Sequence, residues 1–246
     1  MKVYFASDVH LGSGLSDAER SVEHRFVDWL ERVSKDADAI VLDGDVFDFW
    51  FEYREVVPKG FVRTLGKIAE LSDRGIRMIY FTGNHDMWVY DYFAKECGME
   101  MHLRPTVLTF GEERVFVAHG DNMNIQGKHL LQFMNAVFRS RWLRWLFSWV
   151  LHPDFALRFG KWWSNSSRKK HDRYEYRADV TDPLVRYARD YHAAHPEAHI
   201  THYVFGHMHF PRDTREGSLH VVNLGCWARK NHYAVLDGGE LKLMED

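Results

Sequence analysis

The sequence predicts a mixed α/β domain in which short buried strands end in polar loops. The chain has 246 residues, 46% of them hydrophobic and 27% charged, which is ample for a sizeable core. Short, nearly continuous apolar runs recur along it, as in strands buried on both faces of a sheet. Helix-period patterns separate the early runs, whereas the later runs have less helix between them. This order favours an α/β arrangement first, with antiparallel strands added behind it in a mixed, layered sheet.

Five apolar runs each lead into a polar loop, and we predict these runs as strands: Val3–Ser7, Ala39–Leu42, Met78–Phe81, Val115–Ala118 and Tyr203–Phe205. Four more runs predict additional strands: Val107–Phe110, Leu219–Leu224, Tyr233–Leu236 and Leu241–Leu243. Apolar stripes at helical spacing predict helices around Phe26–Val33 and Phe61–Ile68. Residues 122–199 interrupt the strand rhythm with helical patterning. We therefore expect a core of residues 1–121 and 200–246 with residues 122–199 inserted as a helical cap.

The polar loops carry side chains of the kind that bind metal ions. Loops at the carboxyl ends of sheet strands converge on one crevice, so we expect seven donors to meet there: Asp8, His10, Asp45, Asn84, His119, His207 and His209. Oxygen and nitrogen donors without a thiolate suit two divalent ions such as Mn²⁺, Fe²⁺, Zn²⁺ or Mg²⁺. The alternative is that these are unrelated turn residues and hydrogen-bonded histidines, and five such loops in this order argue against it. Pro211 is expected to stop the chain from continuing into regular structure.

The loops DVH, GDVFD, GNHD, HG and GHMH, in this order from Asp8 to His209, resemble the motifs of calcineurin-like binuclear metallophosphoesterases. The resemblance implies a four-layer αββα sandwich and two bound metal ions, with manganese expected. One ion would be held by Asp8, His10, Asp45 and His209. The other would be held by Asp45, Asn84, His119 and His207, with Asp45 as the bridge.

The same resemblance implies hydrolysis of a phosphoester. Metal coordination lowers the pKa of water enough to supply hydroxide near neutral pH. His85 would lie beside the phosphorus and donate a proton or a hydrogen bond to the leaving oxygen. Asp86 is expected either to orient His85 or, equally, to cap a following helix. Asp43, Asp48 and His102 are expected to be structural.

The predicted cap has its own composition. Residues 122–177 contain eleven Lys/Arg against three Asp/Glu, a local charge of +8 within a chain of −3. The tryptophans Trp142, Trp145 and Trp149 recur on one helical stripe, while Arg141 and Arg144 follow another face. The helix could pack on the domain core. A helix of tryptophan and arginine is also typical of a membrane interface or of a wall around an acyl chain, and we favour that interpretation.

Within the family, the layout is similar to the branch that hydrolyses UDP-2,3-diacylglucosamine in lipid A synthesis. The resemblance implies that phosphate or sugar contacts come from Asn84, His85, Ser166, Lys170, Arg173 and His207. Trp142 and Trp145 would contact the acyl chains. A two-chain lipid substrate implies peripheral attachment to the cytoplasmic face of the inner membrane, and two cysteines far apart, Cys97 and Cys226, agree with a reducing cytosol.

Two other functions remain open at this point. One is a phosphodiesterase or pyrophosphatase that acts on a soluble nucleotide or on another phospholipid. The other is a metal-free interaction module on the same fold, against which the presence of all seven candidate ligands argues. Nucleic acid is not expected as a partner, because no DNA- or RNA-binding motif accompanies the basic segment.

Overall fold

The computed structural model describes residues 1–13, 16–123, 129, 132–133, 136–137, 140–160, 162, 182–227 and 230–246. The predicted contacts Ser166, Lys170 and Arg173 lie outside these residues. The described residues form eleven strands: β1 Lys2–Ala6, β2 Ala39–Asp43, β3 Arg77–Phe81, β4 Glu100–His102, β5 Thr106–Phe110, β6 Glu113–Ala118, β7 His202–Phe205, β8 Pro211–Glu216, β9 Leu219–Leu224, β10 His232–Asp237 and β11 Glu240–Glu245. The named helices are α1 Ser16–Val33, α2 Val62–Asp73, α3 Tyr92–Cys97, α4 Arg141–Val150 and α5 Pro183–Ala194.

The strands form two mixed sheets. The first has the order β11-β10-β1-β2-β3-β4 and the second the order β5-β6-β7-β9-β8. Strands β1 to β4 pair in parallel, and β10 and β11 add to them antiparallel, as the sequence predicts. In the second sheet, β6, β7 and β9 are parallel as well, with antiparallel strands at both edges. The parallel strands β7 and β9 are connected through the edge strand β8, without a helix between them.

Alternating side chains of the strands build a four-layer αββα sandwich. Residues such as Phe5, Val41 and Val204 fill the space between the two sheets. The other face of the first sheet packs on α1, α2 and α3 through residues that include Trp29. The outer face of the second sheet packs on α5 through Leu184, Val185 and Ala188. Helix α5 lies within the range 122–199 predicted as the cap, yet it supplies the fourth layer of the core.

Two smaller features differ from expectation. Pro211 does not stop regular structure, because it is the first residue of the edge strand β8, where a residue without an N–H group is tolerated. The short elements α3 and β4 were not predicted, since six and three residues are too few to show a periodic pattern. Both cysteines are free, with Cys97 buried and Cys226 partly exposed.

Candidate metal centre

The five motif loops meet at the carboxyl ends of the parallel strands. Asp8 and His10 follow β1, Asp45 follows β2, and Asn84 follows β3; His119 follows β6, and His207 and His209 follow β7. Backbone hydrogen bonds tie these loops together. The Asp8 N–H donates to the Gly44 carbonyl at 3.1 Å, and the His10 N–H donates to the Asp45 carbonyl at 3.0 Å. The crevice is thus built on paired strand ends, as the motif order predicts.

Five of the seven candidate ligands have left-handed backbone conformations, with φ between 51° and 65°: Asp8, His10, Asp45, His207 and His209. Asp and His enter this region more readily than most residues, but each such position still costs on the order of 1–3 kcal/mol. The rest of the fold must stabilise these turns. Left-handed residues of this kind concentrate at functional sites, because the turn aims the side chain at a common point.

One group of donors lies on the β1 side of the crevice. Asp8, His10 and His209 each place one ligand atom within 4.8 Å of the others. The His10 Nε2 and His209 Nε2 atoms are 3.0 Å apart, and Asp8 Oδ1 lies 3.1 Å from His209 Nε2. The backbone N–H of His207 and the hydroxyl of Ser7 both donate to the other Asp8 oxygen, Oδ2, which leaves Oδ1 facing the histidines.

A second group lies beside it. Asp45, His119 and His207 also place one ligand atom each within 4.8 Å, and His119 Nε2 lies 3.2 Å from Asp45 Oδ2. The His119 Nδ1 donates to the Asp43 carbonyl at 2.8 Å, which directs Nε2 at the crevice. A third group, His10, Asp45 and His85, connects the first two. Asp45 therefore occupies the middle of the crevice, where the resemblance places a bridging ligand.

The donor set fits divalent cations. Asp8 Oδ1, Asn84 Oδ1 and His119 Nε2 are buried without a well-aligned hydrogen bond. Buried polar atoms are normally paired, so three unpaired ligand-type atoms in one crevice indicate a missing partner. Glycines keep the space open, because a Cβ on Gly83 would clash with the Asp45 carboxylate and a Cβ on Gly206 with the Ser7 hydroxyl.

The electrostatics of the crevice favour added positive charge. Burial raises the pKa of the Asp45 carboxyl, but His119 and His85 outweigh it and hold that pKa far below its usual range. Burial lowers the pKa of His10, but Asp48 and Asp8 outweigh it and raise the pKa to about 10. The crevice therefore holds ionised carboxylates that draw protons onto neighbouring imidazoles. A divalent cation competes for the same positions.

His85 is oriented by a residue that the sequence analysis treats as structural. Its Nδ1 donates to the Asp48 carbonyl at 2.7 Å, and its Nε2 lies 3.9 Å from Asp45 Oδ2. The Asp48 carboxylate also lies 3.5 Å from His10 Nδ1. Asp48 thus positions two histidines at once. Its place three residues after Asp45 in the same loop was the signal available in the sequence.

Asp86 has neither of the two expected roles. Its carboxylate accepts hydrogen bonds from the backbone N–H groups of Val46 and Gly83, at 3.0 and 2.7 Å, and from the Tyr80 hydroxyl at 2.5 Å. Burial and the nearby Asp45 charge raise the pKa of this carboxyl to about 6. Asp86 therefore braces the loops after β2 and β3 against each other, and no helix begins directly after it.

The tryptophan stripe of α4 is largely exposed. Trp142, Trp145 and Trp149 are 64%, 52% and 75% exposed, so the described residues leave more than half of each side chain uncovered. The opposite face does pack, through Phe147 against Phe51 and Trp88. A cleft of about 950 Å³ lies between the carboxyl-terminal half of α4 and the chain around Tyr53 and Tyr90. None of the seven candidate ligands lines this cleft.

Comparison with known proteins agrees with this geometry. The sequence profile of the family described as calcineurin-like phosphoesterase matches residues 1–211, which include all five motif loops. The chain belongs to the calcineurin-like phosphoesterase family. The matched range therefore includes every loop that lines the crevice.

Curated relatives match along the full chain. A protein of Porphyromonas gingivalis named UDP-2,3-diacylglucosamine hydrolase is 40% identical, and the match covers 100% of this chain and 98% of that protein. A Haemophilus influenzae protein of the same name is 25% identical over 99% of this chain and 98% of its own length. Among solved structures, an archaeal phosphodiesterase is 13% identical with a TM-score of 0.45, and the match covers 100% of both chains.

Proposed function

We propose that this chain hydrolyses the diphosphate bond of UDP-2,3-diacylglucosamine, releasing 2,3-diacylglucosamine 1-phosphate and UMP. The observation that carries the proposal is the full-length match to a UDP-2,3-diacylglucosamine hydrolase in a chain whose ligand-type side chains meet in one crevice. The exposed tryptophans on α4 support a substrate with an apolar part.

The residues that would hold two divalent ions, for which manganese is our choice, are Asp8, His10, Asp45, Asn84, His119, His207 and His209. Such ions supply a nucleophile at neutral pH and neutralise charge on the phosphoryl oxygens. Asp45 contributes a permanently ionised carboxylate in the middle of the crevice. His119 donates its Nδ1 proton to the Asp43 carbonyl, so Nε2 is the atom that it would offer to a metal ion.

His85 is placed to handle a proton. With Nδ1 held by the Asp48 carbonyl, its Nε2 lies on the side of Asp45. Burial lowers the pKa of His85, so a protonated imidazole there releases its Nε2 proton more readily than an exposed one. That behaviour suits a group that passes a proton to the oxygen leaving phosphorus. Asn84, His207 and, on the cap, Ser166, Lys170 and Arg173 are our candidates for phosphate and sugar contacts.

The apolar part of the substrate is assigned to α4. Trp145, Trp149 and Leu151 line the cleft of about 950 Å³, which is large enough for acyl chains, and Trp142 adds exposed apolar surface on the same helix. The same tryptophans would place the protein at a membrane surface, in contact with the leaflet that supplies the lipid. None of the helices in the described part of the chain has the length and apolar character needed to cross a bilayer.

Product analysis tests the proposal. Purified protein is incubated with UDP-2,3-diacylglucosamine and, in parallel, with a soluble dinucleotide, each with and without Mn²⁺. We expect UMP and the diacyl sugar 1-phosphate only when the metal is present, and faster turnover of the lipid substrate. Faster cleavage of the dinucleotide would assign the crevice to a soluble nucleotide instead, and no cleavage of either would support an interaction module.

A further inference from the structure

The loop that follows β3 contains Asn84 and His85, and its backbone carbonyls alternate between two partners. The carbonyls of His85 and Trp88 accept hydrogen bonds from the backbone N–H groups of Trp50 and Glu52, at 3.0 and 2.9 Å. The carbonyls of Met87 and Val89 point to the other side of the loop. They accept hydrogen bonds from Arg144 Nη1, at 3.4 and 3.3 Å.

Arg144 is a buried cationic side chain. It belongs to α4 and is only 7% exposed. Its guanidinium carbon lies 4.9 Å from the centre of the Tyr90 ring, and within the described ranges it forms no ion pair with a carboxylate. A buried charge is costly unless strong partners compensate it. Here the compensation comes from loop carbonyls and an aromatic face, so the position favours a planar cation that can donate and stack at once.

We propose that Arg144 is a positioning residue that holds the Asn84–His85 loop in its ligand-presenting conformation. Arg144 donates hydrogen bonds to loop carbonyls that a second neighbouring strand would otherwise have to satisfy. It does so from α4, the helix that carries the exposed tryptophans. Glu52 completes the arrangement, because its carboxylate accepts the backbone N–H groups of Tyr90, Asp91 and Tyr92. The loop is therefore fixed on one side by the core and on the other side by the cap.

The chain offers a matched control for this contact. The Tyr53 hydroxyl donates to the Leu151 carbonyl at 3.0 Å, and it also ties α4 to the core without touching the loop carbonyls. Tyr53→Phe removes one cap–core hydrogen bond and leaves the ring in place. Arg144→Gln removes the hydrogen bonds to the loop, and Arg144→Lys keeps a cation with donors but loses the planar stacking on Tyr90.

Hydrogen–deuterium exchange on the metal-free protein tests the proposal directly. In Arg144→Gln we expect faster exchange in peptides covering residues 84–92, with circular dichroism unchanged, while Tyr53→Phe exchanges there like the wild type. Arg144→Lys should be intermediate. Equal exchange in Arg144→Gln and wild type, or an equal increase in Tyr53→Phe, would overturn the proposal and leave Arg144 as a packing residue.

Metal binding provides the second readout, and it rests on the proposed function. Residues that orient metal ligands typically contribute about 10–100-fold to metal affinity. We expect Arg144→Gln to weaken Mn²⁺ binding about tenfold at one of two sites in calorimetry, with kcat falling more than KM changes. Faster exchange in a protein that binds no Mn²⁺ even as wild type would refute the proposed function while supporting the positioning role of Arg144. Unchanged Mn²⁺ affinity in a variant with a loosened loop would refute the coupling to metal.

Discussion

Proteins usually bury apolar side chains and expose charged ones, and the crevice and helix α4 each depart from this rule in opposite ways. The crevice buries carboxylates and imidazoles, among them Asp8, Asp45 and His119, whereas α4 exposes Trp142, Trp145 and Trp149. Each reversal is costly in isolation, because buried charge must be compensated and large exposed apolar surface attracts other apolar surface. Both features call for a partner that the described part of the polypeptide does not supply.

The two regions differ in how firmly the chain holds them. The crevice side chains are fixed by strand ends, by left-handed turns and by hydrogen bonds from neighbouring loops. Helix α4 contacts the core through Phe147 and Arg144, and Leu151 directly after it adds a further contact. Small ions require donors placed in advance, whereas a lipid tail or a bilayer surface requires only apolar area. The region that would bind small ions through directional contacts is therefore the more firmly held of the two.

The largest effect is expected at the middle of the crevice. Asp45→Asn keeps the shape and tolerates the left-handed turn, but removes the charge that faces three histidines. Turnover of any phosphodiester with Mn²⁺ should fall by at least about 10³-fold, since metal assistance contributes several kcal/mol. Metal analysis should show fewer than two ions bound. Asp36→Asn, which changes an exposed partner of Lys2, serves as the control. Activity near the wild-type rate would show that the crevice does not depend on the charge of Asp45.

His85→Ala should have the next largest effect. The variant loses Nε2 beside Asp45 but none of the seven donors, so metal content should persist while kcat falls about 10²- to 10⁴-fold. Kinetics on a lipid and a soluble substrate should show the same relative loss. A near-normal kcat would mean that His85 contributes to the architecture of the crevice and not to proton transfer.

Sequence patterns predicted the parts of this molecule that depend on residues close together in the chain. All nine apolar runs that predict strands coincide with strands, and the six Asp and His donors lie in groups of neighbouring ligand atoms because loops at the ends of parallel strands must meet. The role of Asp86 could not be predicted, because its partners Val46 and Tyr80 become neighbours only in the folded sheet. Arg144 was equally hidden, since nothing in the order of residues shows which arginine of a basic segment is buried.

Replacing Trp142, Trp145 and Trp149 with serine tests the α4 side of the comparison. We expect at least about tenfold slower turnover of the diacyl substrate, because each lost aromatic contact costs about 1.5–3 kcal/mol, and little change with a soluble phosphodiester. Binding to anionic lipid vesicles in sedimentation should decrease in parallel. Val62→Ser, at an exposed apolar residue on α2, is the control. An equal loss on both substrates would show that the stripe supports the fold and does not bind lipid.

The smallest effect is expected at buried imidazoles far from the crevice. His202 and His220 lie 2.9 Å apart at their Nδ1 atoms, beside Glu113, Asp213 and Arg215. Burial lowers the pKa of His220 below 6.5, so the unfolded chain binds more protons as the pH falls past that value, and stability decreases with acidification. His220→Gln should flatten this dependence by at most about 1.4 kcal/mol per pH unit. Denaturant unfolding between about pH 5 and 8, compared with His152→Gln at a side chain 76% exposed, measures it. Parallel plots of unfolding free energy against pH for wild type and His220→Gln would show that burying this imidazole costs the fold no stability. The unfavourable electrostatics would then belong to the metal centre alone.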